Sequence, residues 1–403
     1  MTAKKSILFV GEAVSLAHVT RPLVLAQSLD PGEFEIHFAC DPRYYSLLNV
    51  PEHIRYWPIS SVPGEAFVQA VEYGWFDWEK KDVERYAEEE LRLYKEIAPS
   101  LVVGDYRFTL PITAEFSGIT SAVLANIHWS PYCVGDWGEL PKFPPRPLAM
   151  RIKQKILNLA KPAAERSSTA VFNALRRRYG LAPLSDFHEL AILGNYTLYV
   201  EPPGFIETKT LPENHMFLGP INWSPNVAKP AWWQTWDPKK PIIYVTLGSS
   251  GAARQLPEIL DALTGLGATV VVATANRAML EARDNVFVAG YLPGSELCKL
   301  AAVVICNGGS ATAYQALGQG APVVGIWSNV DQYYTMTAIE RFGAGLGCRA
   351  STLDPGNLLQ VVSRILKDDR YRARAANLAE MFGSCDARKR FVEFVRGVLA
   401  QSP

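Results

Sequence analysis

Two short stretches of this sequence bring together residue types that can do chemistry. The first is Ala17-His18-Val19-Thr20-Arg21-Pro22, which closely follows the apolar run Ile7-Leu8-Phe9-Val10-Gly11. An alcohol is a poor nucleophile until its proton is withdrawn. Imidazole, with an ordinary pKa near ~6.5, can withdraw it at neutral pH. Such a base needs a partner that fixes its tautomer and stabilises the imidazolium. Asp105, which closes the run Leu101-Val102-Val103-Gly104-Asp105, is the candidate. Taken singly, His18 could pack at a helix start and Asp105 could bind loop amides. As a pair at the ends of two buried runs, they read as a general base and its orienting carboxylate.

The second stretch is Asn307-Gly308-Gly309-Ser310-Ala311-Thr312-Ala313-Tyr314-Gln315-Ala316-Leu317, directly after Val303-Val304-Ile305-Cys306. A strand, a Gly-Gly turn and a helix start place free amides and the positive end of a helix dipole together. That is an environment for an anion such as a diphosphate. Ser310 and Thr312 add hydroxyl donors. After Gly320-Ala321-Pro322 and another apolar run comes Asn329-Val330-Asp331-Gln332, whose carboxylate and amide suit sugar hydroxyls. The alternative is a helix start without a ligand and a solvated Asp-Gln pair.

Weaker signals surround these. Trp75 and Trp78, in Trp75-Phe76-Asp77-Trp78, and His128 and Trp129, in Asn126-Ile127-His128-Trp129, are candidates for an acceptor pocket, with ordinary packing as the alternative. Between 142 and 178 lie ten basic residues against Glu165 alone, interleaved with apolar ones. Such a helix can rest on an anionic membrane or present a solvated face. His37, His53, His188 and His215 show no constellation, and no metal-ligand spacing occurs.

Short apolar strands alternating with helices must position these residues. Runs at 6–11, 34–39, 101–105 and 122–125 form one set. Runs at 242–247, 269–273, 286–289, 303–306 and 322–326 form a second. The pattern predicts an α/β chain with two Rossmann-like, doubly wound parallel sheets, whose ligands bind beyond the strands' carboxyl ends. The expected boundaries are 1–218 for the first domain, 219–240 for a Pro- and Trp-rich linker and 241–385 for the second. The helix at 386–403 can return to the first.

Length agrees, because 403 residues exceed what one core supports. Forty basic residues balance forty acidic ones, so net charge points to no nucleic-acid partner. Six scattered cysteines, with no Cys-x-x-Cys, read as reduced and mostly buried. Glu12 interrupts the first apolar run too early for a signal peptide, and no run reaches the ~20 apolar residues of a membrane span. A cytoplasmic protein is expected, with the basic segment as its one candidate for membrane contact. No Gly-x-Gly-x-x-Gly follows either first strand, which argues against a dinucleotide oxidoreductase.

The run from Val286 to Gln332 resembles the donor signature of the family 1, UGT-type glycosyltransferases, which have the GT-B fold with two domains facing a central cleft. The resemblance implies that Asp331 and Gln332 bind the sugar. It places Ser249, within Gly248-Ser249-Ser250-Gly251, by the phosphates, and Tyr291-Leu292-Pro293 against the nucleobase. His18 and Asp105 match the family's base and its partner. Asn307 stands where the family has a phosphate-binding histidine, and Gln315 where it has a ribose-binding glutamate. The expected activity is inverting transfer of a hexose-type sugar from a nucleoside diphosphate sugar, UDP or dTDP, to a small-molecule or lipid acceptor. Neither cofactor nor metal is expected. A nucleotide-sugar epimerase of the same fold and a silent nucleotide-sugar-binding protein are the alternatives.

Overall fold

A computed structural model describes residues 4–73, 78–135, 167–233 and 235–401. The chain divides into two compact units, Met1–Ile221 with Asp386–Pro403, and Asn222–Cys385.

The first unit holds a seven-stranded parallel sheet: β1 (Lys5–Gly11), β2 (Phe34–Cys40), β3 (Ile54–Pro58), β4 (Leu101–Asp105), β5 (Thr120–Ala125), β6 (Tyr196–Tyr199) and β7 (His215–Phe217). Their spatial order is β3-β2-β1-β4-β5-β6-β7. β1 and β4 are buried along successive apolar residues instead of alternating ones, the pattern of a parallel strand covered on both faces. Chain order reverses between β1 and β4, and Gly11 pairs with Asp105 at that point. The crevice at such a reversal is where open α/β sheets hold ligands.

The last helix, Ala387–Gln401, belongs to this unit. Its Phe391 is fully buried against Phe9, its Arg390 donates to the Phe217 carbonyl, and its Leu399 carbonyl accepts from Lys5.

The second unit repeats the plan with six parallel strands: β8 (Ile242–Thr246), β9 (Thr269–Ala273), β10 (Val286–Ala289), β11 (Val303–Cys306), β12 (Val323–Trp327) and β13 (Gly345–Arg349). The order is β10-β9-β8-β11-β12-β13, with the reversal between β8 and β11. Ile243, Val245, Val272, Ile305 and Leu358 belong to one buried cluster. The segment read as a linker contributes to this unit from Asn222 onward. Trp232, Trp233 and Trp236 pack together, the first two stacked, and Trp232 and Trp236 also meet Phe287 of β10.

Candidate active site

At the first reversal, helix Leu16–Ala26 starts after a short loop beyond β1 and carries His18 in its first turn. Gly11 permits the approach. A Cβ there would lie 2.9 Å from Val19 Cα and 3.0 Å from the His18 carbonyl oxygen. Pro22 sits four residues after His18 and brings no N–H, so that carbonyl has no helical amide to accept from.

His18 Nδ1 lies 2.9 Å from Asp105 Oδ1, joining residues 87 positions apart. The Asp105 side chain is 1% exposed and that of His18 is 20% exposed, so a buried carboxylate holds a ring that solvent can reach. Nε2 makes no hydrogen bond among the described residues. One ring nitrogen is therefore anchored and the other is available, as a general base requires.

Arg21 and Tyr106 complete the group. Arg21, 4% exposed, donates to Asp105 Oδ2 from Nε at 2.7 Å and to Oδ1 from Nη2 at 3.0 Å. Tyr106 stacks on the imidazole, with ring centroids 4.5 Å apart and planes 22° apart. Its φ of 59° is left-handed, a strained choice for a bulky residue directly after Asp105. Phe67 and Phe108 pack against Tyr106 and hold it there.

Behind these loops lies a buried ionic cluster. Arg107 donates to Glu90 at 2.8 Å, to Glu12 at 3.0 Å and to the Ser60 carbonyl at 2.7 Å, with its guanidinium 3.4 Å above the Tyr86 ring. Burial pushes the Glu12 and Glu90 carboxyls above the usual carboxylate range, and Arg107 opposes that shift. The cluster ties the loop after β1 to the loop after β4, the two loops that frame His18 and Asp105.

The second reversal is built from small neutral residues, with a guanidinium against its first loop: Arg277 Nη1 donates to the Gly251 carbonyl at 2.6 Å and to the Gly248 carbonyl at 3.3 Å. After β8 the chain turns through Gly248, φ 60°, into Ser249, Ser250 and Gly251. After β11 it turns through Asn307 and Gly308, φ 75°, into helix Ser310–Leu317. A Cβ on Gly308 would lie 2.9 Å from Met336 Cγ, so glycine is required for both conformation and space. Asn307 links the two loops. Its Nδ2 donates to Ser250 Oγ at 3.0 Å and its Oδ1 accepts from the Gly309 amide at 3.2 Å.

These contacts redefine the expected cradle. The Gly308 amide donates to Cys306 Sγ at 3.3 Å and the Gly309 amide to Asn307, so both donate inward. The first helical bond shown at this start runs from the Ala313 amide to the Gly309 carbonyl. The amides of Ser310, Ala311 and Thr312 precede it, as at any helix N-terminus. Gln315, 8% exposed, donates to the Trp223 carbonyl at 2.7 Å and to Ser295 at 3.1 Å. Gln332 is 2% exposed, and its Oε1 accepts from the Ser328 amide at 2.8 Å. Asn329 caps helix Val330–Phe342, which carries Asp331 half-buried in its first turn. Tyr291 is half-buried and Leu292 is buried in the turn after β10.

The chain resembles proteins already characterised. Residues 257–388 match the family model described as "Erythromycin biosynthesis protein CIII-like, C-terminal domain". A "PGL/p-HBAD biosynthesis glycosyltransferase" of Mycobacterium tuberculosis is 42% identical over 383 residues, covering 94% of this chain and 89% of that protein. A "PGL/p-HBAD biosynthesis rhamnosyltransferase" of Mycobacterium bovis is 41% identical over 382 residues, covering 94% and 85%. The chain belongs to this glycosyltransferase family. Among solved structures, the calicheamicin glycosyltransferase CalG4 superposes with a TM-score of 0.71 at 17% identity, covering 100% of both chains. The fold is GT-B, and this glycosyltransferase carries its two candidate sites at its two sheet reversals.

Several expected acceptor residues have other placements in the enzyme. Trp78 is 8% exposed and packs edge-on to Tyr86, Phe108 and Phe172 within a buried cluster. His128 is buried, 1% exposed, in the short turn Ile127–Trp129. Trp129 is half-buried against Phe187, and its carbonyl accepts from His188. Trp75 lies outside the described residues, as does most of the basic segment. Of that segment, Arg176 is buried and paired with Glu115. Among the described residues no helix is long and apolar enough to cross a membrane.

Arg21 and Tyr106 are the residues that sequence reasoning missed. Arg21 left one usable signal, since a residue three after His18 shares its helix face. Tyr106 left none, because its conformation depends on packing by Phe67 and Phe108.

Proposed function

We infer that the enzyme transfers a hexose or deoxyhexose, with inversion, from a nucleoside diphosphate sugar to a hydroxyl of a small-molecule or lipid acceptor. The carrying observation is the imidazole of His18, anchored at Nδ1 by buried Asp105 and available at Nε2. In this reading Nε2 takes the acceptor proton as the acceptor oxygen forms its bond to the anomeric carbon. The bond from that carbon to the diphosphate breaks on the opposite face. The amides of Ser310 to Thr312, with the helix dipole behind them, stabilise the departing charge without a metal ion. Ser249 and Ser250 approach the same phosphates, Asp331 the sugar hydroxyls and Tyr291 the base.

Two relatives support the substrate class. Both are named for PGL/p-HBAD biosynthesis, one as a rhamnosyltransferase, which favours a deoxyhexose donor and an acceptor of the kind met there. UDP and dTDP are the nucleotides to compare first, by thermal stabilisation, because a ligand raises apparent stability by mass action.

The test of the base is His18→Ala. Nucleotide binding, read by thermal shift, is expected to survive while transfer falls by roughly 10²–10⁴-fold. Transfer at the parent rate removes His18 from the reaction.

A further inference from the structure

His18 Nδ1 has two neighbours at hydrogen-bonding distance and can satisfy only one. Asp105 Oδ1 lies at 2.9 Å and Arg21 Nη2 at 2.8 Å. An imidazole nitrogen holds either a hydrogen or a lone pair in its single in-plane direction. With a hydrogen on Nδ1, it donates to Asp105 and Nε2 keeps the lone pair that a base needs. With a lone pair on Nδ1, it accepts from Arg21, and Nε2 carries the hydrogen and cannot act. The hydrogen on Nδ1 faces the guanidinium in the neutral Nδ1–H ring as well, but a protonated ring adds a second positive charge beside a guanidinium that cannot give up its own.

We propose that Arg21 is a positioning residue that governs the tautomer and charge of His18, holding Asp105 in place and opposing the imidazolium so that the base returns to its neutral form after each transfer. This inference rests on the reading of His18 as the base.

The surroundings fit a fixed device. Arg21 is locked on two sides, by the two Asp105 oxygens and by Asn126 Oδ1 at 3.2 Å from Nη1, and its Nη2 lies against Nδ1. Asn126 is itself held, its Nδ2 donating to Glu201 Oε1 at 2.5 Å. The other oxygen of Glu201 accepts the Ile127 amide at 3.0 Å. The chain His18, Asp105, Arg21, Asn126, Glu201 thus runs across the carboxyl ends of β1, β4, β5 and β6. Tyr106 stacks on the ring and fixes its plane. Among the described residues, the charged and titratable groups in contact with the imidazole are Asp105 from β4, Arg21 from its own helix and Tyr106 from the turn after β4. Glu201 acts only through Asn126 and Arg21, and Glu12, in the loop after β1, pairs with Arg107. Asp105 favours the charged ring, Arg21 disfavours it, and removing Arg21 leaves the carboxylate unopposed.

The experiment is an imidazole ¹⁵N titration of the full chain, with the His18 signal identified by its loss in His18→Ala. Arg21→Gln is expected to raise the His18 midpoint by about one pH unit, the shift a carboxylate produces once its opposing charge is gone. The acid limb of the transfer rate should move up with it. Arg21→Lys, whose one ammonium can meet Asp105 but cannot span carboxylate and ring, should raise the midpoint by less. A merely structural arginine would lower stability and rate and leave the midpoint in place. Unmoved midpoints in the variants that fold overturn the proposal, and Arg21→Lys decides it if Arg21→Gln does not fold. Transfer surviving in His18→Ala would instead sink the base reading, and the ¹⁵N titration would still report whether Arg21 controls the ring.

Discussion

The two sheets reverse their strand order in the same way, and the chain has furnished the two reversals with opposite chemistry. Between β1 and β4 sit a histidine, a buried carboxylate and a buried guanidinium, backed by a second ionic cluster around Arg107. Between β8 and β11 sit glycines, serines, an asparagine and helix amides, and the cation that reaches these loops, Arg277, donates to the Gly248 and Gly251 carbonyls. The difference follows from the tasks proposed for them. A site that moves a proton needs a group that titrates, with its charge balanced by fixed partners. A site that holds a diphosphate needs donors that are already in place, and backbone amides supply them at no cost in protonation. Asn307 makes the contrast sharper. It stands where the resembling family has a histidine, and it links two loops of its own unit.

The contrast can be broken most severely at Asp105. Asp105→Asn is expected to cut transfer by roughly 10²–10⁴-fold, because the amide no longer secures the tautomer that leaves Nε2 free. Donor nucleotide binding should stay within a few-fold of the parent in a thermal-shift titration. Loss of nucleotide binding in step with rate would show that the two reversals do not divide the work as argued.

Arg107→Met probes the ionic backing. Removing one partner of a buried ionic cluster costs about 3–5 kcal/mol. Burial already holds Glu12 and Glu90 above the usual range, and without Arg107 they move further up. A carboxyl whose folded pKa lies above its unfolded one gives stability below the ordinary carboxylate range, lost as pH rises through the folded value. The drop in Tm relative to the parent should therefore be larger at pH 8 than at pH 5. Equal losses at both pH values would contradict the charge assignment.

Smaller effects belong to the neutral reversal. Gly308→Ala introduces a Cβ against Met336 at a left-handed φ and is expected to cost about 1–3 kcal/mol, seen as lower Tm and weaker nucleotide binding. Ser250→Ala removes the hydroxyl that meets Asn307 and stands by the proposed phosphate site, worth about 1 kcal/mol, or roughly a five-fold rise in the nucleotide Kd. For both, the pH profile of transfer should keep its shape. A shifted acid limb would mean that the neutral reversal also governs the base.

Much of this was legible beforehand. Buried parallel strands announce themselves as unbroken apolar runs, and a Gly-Gly turn between strand and helix is a local signal, so β8, β11 and the loop at Asn307 could be read directly. His18 and Asp105 were legible as the ends of two such runs. The burial of Trp78 was not legible, because an aromatic beside a polar loop looks the same in sequence whether it faces solvent or the core. Gly308 and Gly309 were half-legible. Their conformational need was visible, but their amides turned out to donate to Cys306 and Asn307.

The sequence by itself determined the α/β alternation and which loops leave the strand ends, because periodicity and glycine placement act over a few residues. Only the tertiary structure decided that Arg21 reaches both Asp105 and His18, that Tyr106 is strained onto the imidazole, and that Asn126 and Glu201 extend the chain to β6. Those contacts join positions up to 105 residues apart. Their geometry is set by strand register and by the packing of side chains between sheet and helices, which no local pattern encodes.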